Sequence, residues 1–157
     1  MSPVVVGIDP GTSCGWAVLH AATGDRVASG TWDLAARRHE GGGMRFVRFE
    51  GFLQQLLRTY PVKAVLYEEV RRHMGVDAAH VYGGIVATLG RVCEGAVTPY
   101  AGVPVGTVKK RATGKGNAAK GQMIEAAQAR WGVPVRLTDD DEADALWIAE
   151  TWRKDHA

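Results

Sequence analysis

The 157-residue sequence is poor in cysteine, in net charge and in long apolar runs, and each shortage excludes a class of protein. Cys14 and Cys93 are far apart and form no CxxC pair. With no secretory signal ahead of them, they suit a reducing compartment, so the cytoplasm is the expected location. The longest apolar runs fall well short of the roughly 18 residues that a membrane helix needs. A soluble chain with no membrane partner is expected. Nineteen Lys and Arg against 17 Asp and Glu leave a net charge of +2, and the pI is about 8.6. That balance excludes a histone-like binder and confines any basic surface to one part of the fold. The length is that of one domain with one core, taken to span 1–157.

What is present reads first as strands. In "VVVGIDPGTSCGWAVL", residues 4 to 19, two apolar segments, 3–9 and 15–20, flank a turn at Pro10-Gly11. Thr23-Gly24-Asp25 turns the chain into a third strand ending near Trp32 or Asp33, which completes an antiparallel meander. Arg37, Arg38, His39 and Gly41 to Gly43 mark a polar, mobile loop. Phe46, Phe49, Leu53, Leu56, Leu57 and Tyr60 then recur at helical spacing until Pro61. "AVLYEE", residues 64 to 69, is the continuous apolar run of a strand covered on both faces, and it ends on acids. Ala78, Val81, Tyr82, Ile85, Leu89 and Val92 form a second helical stripe. Residues 96–108 read as a strand and its exit loop, Gly114 and Gly116 keep the next segment flexible, and helices are expected over 118–131 and 139–153. Strands in a meander followed by alternating helices and strands give an α/β fold, a mixed sheet covered by helices.

The acids of interest lie at the ends of these elements. Asp9 ends the first strand, Glu68 and Glu69 end the fourth, and "TDDDEADALWIAE" opens the last helix. If the first and fourth strands are neighbours, these acids converge at one rim of the sheet. Thr138 is a good N-cap, and acids behind it favour the positive end of the helix. Capping and solubility alone would explain that cluster, turn capping would explain Asp9, and an exposed strand end would explain Glu68. Asp144 resists this account, because it lies beyond the first turn and is followed by Ala145, Leu146 and Ile148. Asp141 and Asp144, three apart, share a helical face, whereas Asp139, Asp140 and Glu142 point elsewhere. Glu69 alternates away from Glu68, so only one of the two can join Asp9. Four convergent oxygen donors describe a site for Mg²⁺ or Mn²⁺. Two such ions about 3.5 to 4 Å apart can hold the attacking water and the leaving oxygen of an in-line phosphodiester displacement.

Another absence lies between Glu94 and Glu125, where the chain has no acid while Lys109, Lys110, Arg111, Lys115 and Lys120 accumulate among glycines. A solvated face is one reading; a flexible segment that meets a polyanion is the other. Lys120 opens a helix, where a cation opposes the dipole, which favours a functional role. Arg71-Arg72-His73 and Arg37-Arg38-His39 either extend this track or are plain surface. The five tryptophans, Trp16, Trp32, Trp131, Trp147 and Trp152, read as core and interface residues.

Four segments together, "GIDPGTSCGWAV", "YEEV", "KKRATGKGNAAK" and "DEADALWIAE", resemble the RuvC Holliday junction resolvases, in the same order and over nearly the whole chain. The resemblance implies an RNase H-like fold with a five-stranded mixed sheet, three antiparallel strands and then parallel ones, flanked by helices. It implies a homodimer that cuts four-way DNA at symmetric positions with two Mg²⁺ ions, leaving a 5′-phosphate and a 3′-hydroxyl. Asp9, Glu68, Asp141 and Asp144 fall on the family's metal ligands, Lys109 and Lys120 on lysines near the scissile phosphate, and the helix around 77–94 on the dimer interface. The chain departs from the pattern in a turn after "GIDPG" that is one residue shorter, and in its compact length, which resembles phage or prophage resolvases. Arg71 stands where many members carry an aromatic that wedges between bases, leaving Tyr67, His73 or Tyr82 as substitutes. "GIDPGTS" is also similar to the phosphate loop of actin- and Hsp70-class ATPases, but those need a second such domain. The YqgF-like RNA-processing nucleases share the fold and the first acidic strand, although the lysine spacing and "ADALWIA" match RuvC better. A non-catalytic junction binder would have no use for four carboxylates.

Overall fold

The computed structural model describes residues 1–73, 75–132 and 140–157. Five strands, β1 (Val4–Asp9), β2 (Ser13–His20), β3 (Arg26–Asp33), β4 (Val62–Glu69) and β5 (Tyr100–Pro104), form one sheet in the order β3-β2-β1-β4-β5. β1, β2 and β3 pair antiparallel, whereas β4 lies parallel to both β1 and β5. The first and fourth strands are therefore neighbours, as convergence of the acids requires.

Alternation along the strands supplies two apolar faces. Val4, Val6, Ile8, Val18 and Val65 point to one side, where they pack with Phe49 and Leu53 of α1 (Met44–Thr59) and Ile85 and Leu89 of α2 (Val76–Gly95). Val5, Ala17, Leu19, Ala64 and Leu66 point to the other. There they meet α3 (Val105–Thr113), α4 (Lys120–Trp131) and α5 (Asp141–Asp155). Arg91 of α2 also forms an ion pair with Glu50 of α1.

α5 is the most deeply placed helix, buried along most of its length and packed across β1 and β2. Two glycines allow this approach. A Cβ at Gly7 would run into the Ala145 carbonyl, and one at Gly15 into the Asp141 carbonyl, so helix backbone rests on strand backbone. No helix among the described residues is long and apolar enough to cross a membrane.

One element differs from the sequence reading. Residues 105–113 are not an exit loop running into a flexible basic segment but the helix α3, closed by Gly114 in the left-handed region at φ +84°. Val108 is its one buried residue, which leaves too little apolar periodicity to read. The N-cap expected at Thr138 and the start of the last helix at Asp139 lie outside the described residues.

Candidate active site

The acid cluster is built by the sheet register. Val5, Gly7 and Asp9 face α5 from β1, and Ala64, Leu66 and Glu68 do so from β4. Tyr67 joins the opposite apolar layer, and Glu69 is met there by Arg71 at 3.5 Å. Glu68, not Glu69, is thus the member of the pair that reaches Asp9, through a side-chain hydrogen bond. Asp9 sits opposite Gly15 in the β1–β2 ladder, and Gly15 is where the first turn of α5 touches the sheet. Oxygens of Asp9, Asp141 and Asp144 consequently lie within 4.8 Å of one another.

Such proximity is unfavourable for carboxylates that are all ionised. Burial, then the charges of Glu68, Asp144 and Asp141, hold the Asp9 carboxyl well above the usual range. Asp144 is pushed up to about 8, first by burial and then by Asp140, Glu68 and Asp141. Burial raises Glu68 as well, opposed by its hydrogen bond to Asp9 and by the positive charge of Lys109. Carboxyl groups are hydrogen-bonded in pairs, Asp9 with Glu68 and Asp141, and Asp144 with Asp140. A hydrogen bond between two carboxyls needs a proton on one of them. Among the described residues, the buried acids outnumber the cations beside them, Lys109 and Lys120. An all-oxygen donor set with this charge deficit fits a hard divalent cation.

The basic residues divide into two groups. Lys109, on α3, acts directly on Glu68. Lys120, at the start of α4, places Nζ 3.8 Å from Asp140 Oδ1 while its side chain remains 84 % exposed. Lys110, Lys115, Arg71 and Arg72 are exposed on the surface. Arg111 is turned away, donating to Asp155 Oδ1 at 2.7 Å at the far end of α5.

Asp140 corrects the sequence reading, which had it pointing elsewhere. It lies immediately before α5, its side chain 13 % exposed, hydrogen-bonded to Asp144 and close to Lys120. Its spacing of four from Asp144 was the available signal, since positions four apart share a helical face as much as positions three apart. Glu142 does point away, accepting from Ser29 Oγ at 2.6 Å. Tyr82, one of the aromatics considered as a wedge, has its hydroxyl engaged by the backbone at Glu68 and Val70.

The family model described as crossover junction endodeoxyribonuclease RuvC matches residues 5–152, a span that includes Asp9, Glu68, Asp141 and Asp144. The chain belongs to the RuvC family. A RuvC from Anaeromyxobacter sp. (strain Fw109-5) is 35 % identical over 156 residues, covering 93 % of this chain and 70 % of that protein. A RuvC from Prochlorococcus marinus (strain MIT 9303) is 26 % identical over 151 residues, covering 94 % and 96 %. Among solved structures, T. thermophilus RuvC in complex with a Holliday junction substrate superposes with a TM-score of 0.81 at 24 % identity, covering 94 % of this chain and 91 % of that one. The yeast mitochondrial Holliday junction resolvase Ydc2 superposes with a TM-score of 0.68 at 15 % identity, covering 98 % and 80 %. The mixed sheet and flanking helices of this RuvC-family chain are the RNase H-like resolvase fold.

Proposed function

We propose that this chain resolves four-way DNA junctions by paired, symmetric phosphodiester cuts, and that Asp9, Glu68, Asp141 and Asp144 hold the Mg²⁺ ions this requires. Membership of the crossover junction endodeoxyribonuclease family makes it a nuclease. The observation that carries the site is the meeting of carboxylates from β1, β4 and α5 at one rim of the sheet, with too few cations to balance them. Bound there, one or two divalent ions supply charge compensation and Lewis acidity for attack on phosphorus, and Mn²⁺ would substitute for Mg²⁺.

The remaining roles belong to side chains around the acids. Lys120 and Lys109 border the cluster from α4 and α3, where ammonium groups offset charge that accumulates on a phosphate during attack. Lys110, Lys115 and Arg72 are exposed and able to grip the phosphate backbone, and Arg71, exposed but paired with Glu69, would have to share its charge. Arg111, tied to Asp155, contributes less to that grip. Symmetric cuts need two sites, hence two copies, with α2, where the family resemblance puts the dimer interface, as the expected contact.

The test is cleavage of a labelled four-way junction beside matched duplex, Y-shaped and RNA substrates, with Mg²⁺ or EDTA, for wild type and Asp9→Asn. Paired, metal-dependent nicks reduced at least ~10³-fold in the variant are the expected outcome. Junction binding with no cutting under any divalent ion would leave a binding protein. Cleavage of RNA alone would assign the chain to RNA processing instead.

A further inference from the structure

Glu68 sits where the sheet gives out on one side, for β4 still pairs with β5 as far as Glu69 opposite Pro104. β1 pairs with β4 only as far as Ile8 opposite Tyr67. Another step of two residues would set Pro10 opposite Glu69, and proline has no N–H to donate, so the chain turns away at Pro10-Gly11. In β4 the Val65 amide donates to Pro99 on the β5 side at 2.9 Å. Alternation along the strand then aims the Glu68 carbonyl and the Val70 amide toward the side that β1 has left.

In a parallel ladder, one residue of the neighbouring strand serves both a carbonyl and the amide two residues beyond it. Here a single hydroxyl takes that place. Tyr82 Oη, reaching over from α2, donates to the Glu68 carbonyl at 2.9 Å and accepts from the Val70 amide at 3.0 Å. The Tyr82 ring is steadied by His73, with centroids 4.7 Å apart. A phenol thus closes the end of β4 on the side where the strand ladder has stopped.

We infer that Tyr82 is a positioning residue that fixes Glu68 for divalent-ion binding, an inference that rests on the metal site proposed above. The Glu68 carboxylate leaves the same backbone unit that the phenol holds. Rotation about residues 68–70 would swing it away from Asp9, and active constellations tolerate only small displacements. Tyr82 thus acts through Glu68, by way of its hydroxyl. It substitutes for a missing strand.

The test compares wild type, Tyr82→Phe and Tyr100→Phe. Tyr100 serves as the matched control, since its hydroxyl bonds Glu94 Oε2 at 2.8 Å, away from the acids. Mn²⁺ titration followed by electron paramagnetic resonance, without DNA, gives the half-saturating concentration, and melting with and without Mg²⁺ gives a second readout. In Tyr82→Phe the Mn²⁺ midpoint should rise about tenfold and the Mg²⁺-induced gain in melting temperature should shrink. Junction binding without divalent ions should stay within about twofold of wild type, and Tyr100→Phe should match wild type in both metal readouts. Equal midpoints in all three proteins, or equal shifts in the two variants, would overturn the positioning role and leave the metal site standing. A wild type that takes up no Mn²⁺ would instead overturn the metal site itself. Should Tyr82→Phe fail to fold, amide exchange of the wild type decides. Slow exchange at Val70, slower still with Mg²⁺, supports the clasp, and exchange at the rate of an open loop overturns it.

Discussion

The two ends of α5 treat their acids in opposite ways. Near the C-terminus, Glu150 is 3 % exposed at its side chain and receives Arg153 Nε at 2.6 Å and Arg130 Nε at 3.3 Å. The same guanidinium groups donate to the Ala22 and Thr23 carbonyls, and Trp131 Nε1 donates to Gly24 at 2.9 Å, so the turn between β2 and β3 is lashed to the helix. Gly24 takes φ +77°, and a Cβ there would strike Arg153, Glu150 and Arg130. At the N-terminus, Asp141 and Asp144 face Asp9 and Glu68, burial and mutual repulsion raise the carboxyl pKa values, and Lys120 reaches Asp140 at a long 3.8 Å. A buried acid with its guanidinium is part of the scaffold. Buried acids that push one another toward the neutral form suit a divalent cation.

That contrast can be broken most forcefully at Glu150. Replacing it with alanine strands two guanidinium groups, one of them buried, and should cost about 3–5 kcal/mol in urea unfolding. A loss under about 1 kcal/mol would mean that the C-terminal end of α5 is not the anchor described.

The opposite sign is expected at Asp144. Its folded carboxyl is pushed up to about 8 from an ordinary 3.8, so over that window the folded state keeps a proton the unfolded chain has released. Stability without metal should therefore fall as pH rises through the window and level off above about 8. Asp144→Asn should flatten the fall and stabilise the metal-free protein at about pH 8 by about 1 kcal/mol or more while abolishing cleavage. Saturating Mg²⁺ should flatten it in the wild type. Denaturant midpoints across pH measure all three, and a wild-type stability that climbs between about pH 5 and pH 8 would contradict the charge deficit.

The smallest effect on stability is expected at Lys120. Its ion pair with Asp140 is long and its side chain exposed, so Lys120→Ala should change stability by less than about 0.5 kcal/mol. Junction cleavage should nevertheless drop about 100-fold with binding little changed, as single-turnover rates would report.

The sequence was most legible where burial is periodic. The meander, β4 and helices α1 and α2 could be placed because their apolar residues repeat at the spacing of two or of 3.6 that each element imposes. α3 escaped because Val108 is its lone buried residue, and a helix with one inward position has no period to detect. In the candidate site, Asp9, Glu68 and Asp144 stood out as acids next to apolar runs, and Asp141 by its spacing of three from Asp144. Asp140 was missed because the three-residue spacing of Asp141 and Asp144 was weighed and the four-residue spacing of Asp140 and Asp144 was not, and Tyr82 was hidden by the nature of its partners. A phenol that bonds the main chain leaves no complementary side chain elsewhere in the sequence.

The glycine contacts beneath α5 carry a consequence for the kind of ion the site can admit. With no side chain between helix and strands at Gly7 and Gly15, backbone contact fixes the gap separating Asp141 and Asp144 from Asp9. Neither a shift of the helix nor repacking can widen the backbone gap, so side-chain rotation of Asp9, Asp141 and Asp144 is what adjusts the spacing of their oxygens. Glu68 is held differently, on a strand that β5 still pairs and β1 has left, with one phenol in the place of β1. Discrimination between a small ion such as Mg²⁺ and a larger one such as Ca²⁺ then becomes a matter of how far carboxylates can turn on a fixed frame.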